Sequence, residues 1–195
     1  MDFYSDRPAV VILAAGLSGR MGVPKHDLRF SEEATFLDHI IRVYQKFMAS
    51  QIVLVINDRD DFSRYYYEKG LKIVINKHPE FGRFHSIQLG LKEIKDVSVF
   101  IQNIDNPFVS PGLLMTLERE IEEAHYAVPV YEGKGGHPVL LSQKIVQKVE
   151  ENYKKDEQLN NVLKNFDRKD VPMHDPYILV NINTEENYRK YFTHV

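Results

Sequence analysis

The sequence predicts a three-layer α/β protein, in which a mostly parallel sheet carries helices on both faces. Two observations lead to this prediction. First, short runs rich in valine and isoleucine, typical of strands buried on both faces, recur at residues 10–13, 52–56, 71–75 and 97–101. Second, the stretches between them space their apolar residues as amphipathic helices do, at residues 36–48, 60–69 and 85–95. Strands that alternate with helices in this way favour right-handed crossovers between parallel strands.

The second half of the chain continues the alternation. Ser110 and Pro111 predict a helix start, as N-cap and first helical residue, and this helix is expected to run to about residue 124. Thr184 is the expected N-cap of a terminal helix over 184–192. Between these two helices we expect strands at 126–131, 138–141 and 178–182, and helices at 142–152 and 156–166. No repeat or linker is evident, so residues 1–195 are expected to form one domain.

Composition narrows the classes of function. The 195 residues contain no cysteine, which excludes disulfides, thiolate metal sites and cysteine nucleophiles. A net charge of −3 argues against a broad nucleic-acid surface, although it leaves room for a local basic patch. No stretch is long and apolar enough to span a membrane, and the first residues lack the order of a signal peptide. We therefore expect a cytoplasmic protein that binds neither nucleic acid nor membrane.

The most informative segment follows the first predicted strand. There the chain opens into a loop that contains Gly16, Gly19 and Gly22 and two cations, Arg20 and Lys25. Glycines let backbone N–H groups approach an anion, and the cations offset the anion's charge, so the loop suits phosphate. Its spacing fits neither the Walker A motif nor the dinucleotide fingerprint. On composition alone, a glycine-rich turn that merely connects strand and helix remains an equal alternative.

The full string Leu-Ala-Ala-Gly-x-Ser-x-Arg-Met-Gly-x-x-Lys resembles the signature of nucleotidyltransferases related to molybdenum cofactor cytidylyltransferase and guanylyltransferase. Four later segments resemble further motifs of that family and occur in the same order. They are Gly-x3-Ser-x3-Gly-Leu at 82–91, Asp-x-Pro at 105–107, Gly-His-Pro-Val at 136–139 and Asn-x-Asn-Thr-x-Glu at 181–186. The resemblance covers nearly the whole chain and implies a Rossmann-like nucleotidyltransferase fold.

The resemblance implies transfer of a nucleoside monophosphate from an NTP to a phosphorylated acceptor, with release of pyrophosphate. Such a reaction depends on positioning and charge stabilisation more than on a protein nucleophile. The catalytic residues would be Arg20 on the β- and γ-phosphates, Lys25 nearer the α-phosphate, and Asp105. The nucleotide would be bound by Leu13, Ala14, Ala15, Gly16, Ser18, Gly19, Arg20, Met21, Gly22 and Lys25, with Gly82 and Ser86 bordering the base and ribose.

A divalent metal, Mg²⁺ or Mn²⁺, would neutralise the remaining charge. Asp105 follows a predicted strand, and ligands bind at the carboxyl ends of parallel strands, so Asp105 is the first candidate ligand. The alternative for Asp105 is a turn or helix cap before Pro107. Asn183 is the second candidate by its position in the late motif, and its alternative is an N-cap of the last helix. Many cytidylyltransferase relatives have aspartates at positions 181 and 183, where this chain has asparagines.

Two features bear on the substrates. In the family, Leu-Ala-Ala-Gly accompanies CTP, so Ala14 and Ala15 imply CTP, which is the nucleotide we expect, although Asn181 and Asn183 favour a guanylyltransferase. The resemblance implies molybdopterin cofactor as the acceptor, with Gly136, His137 and Pro138 as its pocket. A molybdoenzyme or a chaperone would then receive the product.

Two further hypotheses remain at this stage. One is a related transferase that uses GTP or another NTP on a sugar phosphate or other small phosphate. The other is a nucleotide-binding cofactor assembly factor with little turnover. Pyrophosphate release that depends on metal and acceptor would separate the enzymes from the assembly factor.

Overall fold

A computed structural model describes residues 7–16, 21, 23–59, 61–62, 65, 70–95, 97–151 and 158–192. Its centre is a mixed sheet of eight strands. In spatial order, seven of them are β10 (Arg168–Pro172), β7 (Tyr126–Tyr131), β9 (Val139–Leu141), β6 (Val99–Asn103), β1 (Ala9–Leu13), β4 (Ile52–Asn57) and β5 (Leu71–Asn76). The eighth, β8 (Lys134–Gly135), pairs with β7, and a separate small sheet joins β2 (Arg29–Ser31) to β3 (Ala34–Thr35).

Helices connect most of the strands. In chain order they are α1 (Phe36–Phe47), α2 (Gly82–Leu91), α3 (Pro111–Glu120), α4 (Gln143–Glu151), α5 (Leu159–Leu163) and α6 (Glu185–Tyr191). Short 3-10 turns occupy Lys25–Asp27, Pro79–Phe81 and Pro176–Leu179. The caps that the sequence predicts are confirmed: Ser110 accepts from the Leu113 N–H, and Thr184 accepts from the Asn187 N–H.

The central strand β1 shows why the molecule has three layers. Side chains alternate across a strand, so Val10 and Ile12 enter one apolar cluster and Val11 and Leu13 enter another. The first cluster contains the inward faces of α1 and α3, and the second contains those of α2 and α4. All five residues of β1 are buried, as expected for a strand covered on both faces. The predicted three-layer α/β architecture, a mostly parallel sheet between two layers of helices, is thus confirmed.

Strand directions determine what meets at each edge of the sheet. β1 runs parallel to β4 and β6, and β4 runs parallel to β5. The carboxyl ends of these four strands therefore share one edge. β9 is antiparallel to β6 and β7, so the residues that precede β9 reach this same edge. The sheet is mostly parallel, as predicted, and its one inverted inner strand brings the Gly-His-Pro segment beside the strand ends.

The strand predicted at 178–182 is wrong. Pro176 stands at the first position of a 3-10 turn, Asp175 caps this turn by accepting from the Tyr177 N–H, and residues 180–183 are not in a strand. The last strand is instead β10, which pairs in parallel with β7 at the edge of the sheet. The sequence of β10, Arg-Lys-Asp-Val-Pro, lacks the apolar run of a buried strand because this edge strand is mostly accessible to solvent.

Other boundaries differ by a few residues. The strand predicted at 97–101 lies at Val99–Asn103, the helix predicted at 85–95 lies at Gly82–Leu91, and the helix predicted to reach residue 124 ends at Glu120. The strand predicted at 138–141 begins one residue later, and the strand at Tyr126–Tyr131 is confirmed. Most of the helix predicted over 60–69 lies outside the described residues, as do the first residues of the one predicted over 156–166.

Candidate active site

A cleft of about 560 Å³ opens at the carboxyl edge of the central strands. Its floor lies where β1 and β6 end. The Ile104 N–H donates to the Leu13 carbonyl at 3.1 Å and joins the two strand ends there. On the other side of β1, the Ala14 N–H donates to the Val55 carbonyl at 2.8 Å, which holds the start of the glycine loop on the sheet. The cleft thus lies between neighbouring parallel strands, where α/β sheets bind their ligands.

Lys25 lies at the centre of the polar side of the cleft. Its Nζ donates to Asp105 Oδ2 at 3.1 Å and to Asn183 Oδ1 at 2.5 Å. Asp105 lies 80 positions and Asn183 lies 158 positions from Lys25 along the chain, so only the fold brings the three residues together. The side chains of Lys25 and Asp105 are 17% and 21% exposed, which leaves the pair open to the cleft.

The helix-capping alternative for Asp105 and Asn183 is not what the structure contains, whereas Asp105 does lie in a turn after β6. Ser110 caps α3 and Thr184 caps α6. Neither helix therefore uses Asp105 or Asn183 as its N-cap, and both side chains point their oxygens at Lys25. The two candidate metal ligands therefore face one common point.

The backbone that carries Asp105 is clamped from below. Gln102 is fully buried, and its Nε2 donates to the carbonyls of Asn103 and Asn106, each at 2.8 Å. Tyr44 Oη in turn donates to Gln102 Oε1 at 3.1 Å. A buried amide with all its groups satisfied is a rigid support, because breaking any of these bonds would leave a polar group unpaired.

Asn106 links this loop to the late motif. Its Nδ2 donates to the Val180 carbonyl at 2.9 Å and to Asn181 Oδ1 at 2.8 Å, while its Oδ1 accepts from Asn103. The Ile182 N–H also donates to the Asp105 carbonyl at 2.8 Å. The distance between Asp105 and Asn183 is therefore set by a direct network. The two asparagines of the late motif have different tasks, since Asn181 bonds to Asn106 and Asn183 reaches Lys25.

The start of α2 forms the opposite wall. Gly82 has φ +83°, a conformation that a side chain would strain, and it turns the chain from the 3-10 turn into the helix. Ser86 is buried, and its Oγ accepts from Asn76 Nδ2 at 2.9 Å. A Cβ on Gly90 would lie 2.5 Å from Val11 Cγ1, so this glycine lets α2 approach β1 closely. The motif Gly-x3-Ser-x3-Gly thus fixes both the turn and the packing of this wall.

His137 lines the cleft beside Arg83. Burial, reinforced by the positive charge of Arg83 and opposed by Asp105, lowers the pKa of His137 to about 4. The imidazole is therefore neutral at neutral pH, and its buried Nδ1 has no partner among the described residues. Its backbone N–H donates to the Ile178 carbonyl at 3.0 Å, which ties the Gly-His-Pro segment to the turn Pro176–Leu179.

The structure brings most of the predicted site residues into this one cleft. Those that line it are Leu13, Ala14, Ala15, Gly16, Met21, Lys25, Gly82, Ser86, Asp105, His137 and Asn183. Of the predicted acceptor residues, only His137 lines the cleft, and Gly136 instead packs against the backbone of Ile178. Ser18, Gly19, Arg20 and Gly22 lie outside the described residues.

Among the cleft-lining residues that sequence reasoning missed, three have polar side chains. Arg83 projects into it and, within the described part of the chain, has no ion pair; its position inside the Gly-x3-Ser segment was the available signal. His26 is buried beside Phe62, with ring centroids 4.1 Å apart. Asn103 ends β6 and was hidden because the strand was placed two residues too early. None of the three belongs to a spacing that identifies a function by itself.

The oxygen donors fit a hard divalent cation. Asp105 Oδ2 and Asn183 Oδ1 converge on the ammonium group of Lys25, which occupies the point between them as a stand-in cation. Mg²⁺ and Mn²⁺ prefer such oxygen ligands, and Mg²⁺ retains several waters, so two protein ligands suffice. Across the described ranges, no group of three His, Asp or Glu side chains is placed to hold a metal. The candidate metal site therefore depends on Asp105 together with an amide oxygen.

A three-layer α/β fold with a cationic, oxygen-rich cleft at its central strand ends is typical of nucleotide-binding proteins. Residues 10–171 match the family described as the MobA-like NTP transferase domain. The chain belongs to this family and is a nucleotidyltransferase by family.

Two curated relatives are named probable molybdenum cofactor guanylyltransferase. The one from Natranaerobius thermophilus is 30% identical over 66% of this chain, an alignment that spans only 63% of that relative's length. The one from Bacillus cytotoxicus is 25% identical and aligns over 95% of this chain and 96% of its own.

Solved structures share the fold. Rv0371c from Mycobacterium tuberculosis superimposes with a TM-score of 0.81 at 18% identity, over 97% of this chain and 99% of that one. A second structure of Rv0371c, a complex with manganese, gives a TM-score of 0.78.

Within the part of the chain that the structure describes, no helix has the length and apolar character needed to cross a membrane.

Proposed function

We propose that this chain transfers a guanylyl group from GTP to a phosphorylated molybdopterin acceptor and releases pyrophosphate. The observation that carries the proposal is the convergence of Lys25, Asp105 and Asn183 in the cleft that begins at the glycine loop. The names of the curated relatives support the acceptor and favour GTP over the CTP that Ala14 and Ala15 imply.

The chemistry needs few reacting groups from the protein. An oxygen of the acceptor phosphate forms a bond to the α-phosphorus of GTP, the bond from that phosphorus to the bridging oxygen breaks, and pyrophosphate leaves. The nucleophile is already an anion, so no proton has to be removed by a general base. What the protein must supply is alignment of two anions and compensation of their charge.

The residues of the cleft suit these tasks. Backbone N–H groups of Ala15 and Gly16 would bind the triphosphate, and Lys25 would contribute a compact positive charge beside the α-phosphate. Arg20 would pair with the β- and γ-phosphates in a two-pronged contact. Arg83, which has no ion pair within the described chain, offers a further cation from the opposite wall. Because His137 is neutral at neutral pH, it adds no positive charge to that of Arg83.

Asp105 and Asn183 would hold a divalent cation, Mg²⁺ or Mn²⁺. When bound, this cation neutralises phosphate charge and lowers the energy of the pentacoordinate transition state. Lys25, which bridges the same two oxygens, would then be released toward the phosphates. Gly82 and Ser86 would border the base and ribose at the start of α2.

The test is a pyrophosphate-release assay with each of the four NTPs, with Mg²⁺ or Mn²⁺, and with molybdopterin or a set of sugar phosphates as acceptor. We expect release that requires GTP, metal and molybdopterin together, with identification of the dinucleotide product by mass spectrometry. Release with CTP and not with GTP would show that the nucleotide is CTP, and release with a sugar phosphate would show that the acceptor is not molybdopterin. Tight nucleotide binding without pyrophosphate from any pair would instead establish an assembly factor.

A further inference from the structure

A second pocket, of about 620 Å³, adjoins the active-site cleft. We call it the distal pocket and define it by the side chains that carry the argument, Tyr177, Asn181, Asn183, Asn187 and Tyr191. Asn181 and Asn183 line both the distal pocket and the active-site cleft, so the two spaces meet at these residues. We infer that the distal pocket binds the planar heteroaromatic ring of the acceptor, a pterin, while its phosphate reaches past Asn183 toward Lys25.

An aromatic corner provides the surface for a planar ligand. Phe108 stacks against Tyr177, with centroids 4.9 Å apart and planes at 26°, and this contact fixes the orientation of the tyrosine ring. Tyr177 remains 46% exposed, so a ring can still stack on it. Tyr191 stands nearly perpendicular to Tyr177, with centroids 5.9 Å apart, and closes the corner. Aromatic rings favour both of these arrangements.

Amides supply hydrogen bonds for the edge of the ring. The side-chain amide of Asn187 has no partner among the described residues, although its backbone N–H is used by the cap of α6. The Oδ1 of Asn183 accepts from Lys25, which leaves its Nδ2 as a donor. A primary amide presents a donor and an acceptor side by side, as the lactam edge of a pterin does.

Charge and size agree with this ligand. The described residues that line the distal pocket include no charged side chain, which suits an uncharged ring better than a phosphate. The volume lies within the range of sites that bind small organic molecules. The guanine base has its own expected place at Gly82 and Ser86, and neither residue lines the distal pocket.

This inference rests on the proposed function, because it assigns that function's acceptor to a site. The sequence had placed the acceptor at Gly136, His137 and Pro138. The bond between the His137 N–H and the Ile178 carbonyl joins that segment to the turn that carries Tyr177, so the two locations are neighbours. The distal pocket moves the ring onto the turn Pro176–Leu179 and α6.

The first test measures binding without turnover, by quenching of the fluorescence of 6-hydroxymethylpterin on addition of the full chain. We expect saturable quenching that Tyr177→Leu and Asn187→Leu each weaken by about tenfold, as loss of a ring contact or an amide pair predicts. Tyr177→Phe keeps the ring and should bind like the wild type. Tyr131→Leu and Asn161→Leu, which alter residues outside both pockets, are the matched controls and should change nothing. Circular dichroism of each variant verifies that it folds.

The second test uses turnover. Tyr177→Leu should raise the KM for molybdopterin and leave the KM for GTP unchanged. Unaltered pterin binding in both leucine variants, or competitive displacement of the pterin by guanosine, would overturn the inference. Absence of pyrophosphate release by the wild type would instead count against the proposed function, since the fluorescence titration does not require turnover.

Discussion

At the scale of single residues, the ammonium group of Lys25 occupies the position at which Asp105 and Asn183 would bind a metal ion. Its ammonium group bonds to both oxygens that would hold the metal. An ammonium and a divalent cation cannot occupy the same point, so Lys25 would have to leave Asp105 and Asn183 if these two residues held a metal. The lysine thus keeps Asp105 and Asn183 oriented before the substrates arrive.

Lys25→Met should lower kcat for the proposed guanylyl transfer by about two to three orders of magnitude, as loss of one preorganised charge in a phosphoryl-transfer site does. The matched control is Lys134→Met, which removes an exposed lysine of β8 and should retain full activity. The rate of pyrophosphate release at saturating GTP is the measurement. A kcat for Lys25→Met equal to that of the control would contradict the assignment.

His137 makes a prediction about pH. Its pKa is about 4 in the folded protein, because of burial and the charge of Arg83, against about 6.5 in the unfolded chain. Between these values the unfolded chain binds a proton that the folded protein does not, so the free energy of unfolding decreases as the pH falls from 6.5 to 4. The loss from this one group amounts to at most ~3 kcal/mol.

Urea denaturation at a series of pH values measures this loss. His137→Gln should show a smaller decrease than the wild type in that window, whereas His174→Gln, which alters an exposed histidine, should decrease as the wild type does. Equal slopes for His137→Gln and the wild type would show that His137 titrates normally in the folded protein.

At the scale of elements, the site is held by loops that are bonded to one another. Asn106 joins the end of β6 to the segment before α6, and Gln102 supports it from the core. Asn106→Ala should therefore displace Asp105 from Asn183 without removing either. We expect kcat to fall by about tenfold, together with a loss of about 1–3 kcal/mol in the free energy of unfolding.

The control for Asn106→Ala is Asn161→Ala on α5, where the side chain is exposed and its Oδ1 accepts from Lys164. Comparison of kcat with the KM for GTP is informative, because a positioning residue should act on kcat while the GTP contacts stay in place. Retained kcat in a destabilised Asn106→Ala protein would mean that the network serves stability alone.

The strands and helix caps also show how much of the fold could be predicted from the sequence. The strands β1, β4 and β7 could be predicted because apolar runs identify buried strands, and the caps Ser110 and Thr184 because one side chain defines each cap. β10 could not, since its pairing with β7 is a long-range property and its side chains are mostly exposed. At residues 178–182 the error was the opposite, since a strand was predicted where none is present. The apolar stretch at the 3-10 turn Pro176–Leu179 has the composition of a buried strand.

At the scale of the whole molecule, the sequence suggested the parts of the site, but their assembly depended on topology. Asp105 was identifiable from its place after a strand, whereas the bridge from Lys25 to Asn183 spans 158 positions. Arg83 was marked only by its position inside the Gly-x3-Ser segment, and the distal pocket by no pattern at all, because scattered tyrosines and asparagines acquire meaning only when they line a common space. The inverted strand β9 likewise could not be inferred from its composition, although it determines where His137 lies.

The same topology predicts how ligands act on the stability of the whole chain. The cleft is formed by segments from the beginning, middle and end of the sequence, so a bound nucleotide holds together parts that separate on unfolding. GTP with Mg²⁺ or Mn²⁺ at a hundred times its dissociation constant should add about 2.7 kcal/mol to the free energy of unfolding, which corresponds to ~5–10 °C in Tm for a protein of this size. Differential scanning fluorimetry measures this shift. Lys25→Met should reduce the shift and Lys134→Met should not, because only the first removes a charge from the cleft. A wild-type Tm that GTP and metal leave unchanged would show that the cleft does not bind the nucleotide.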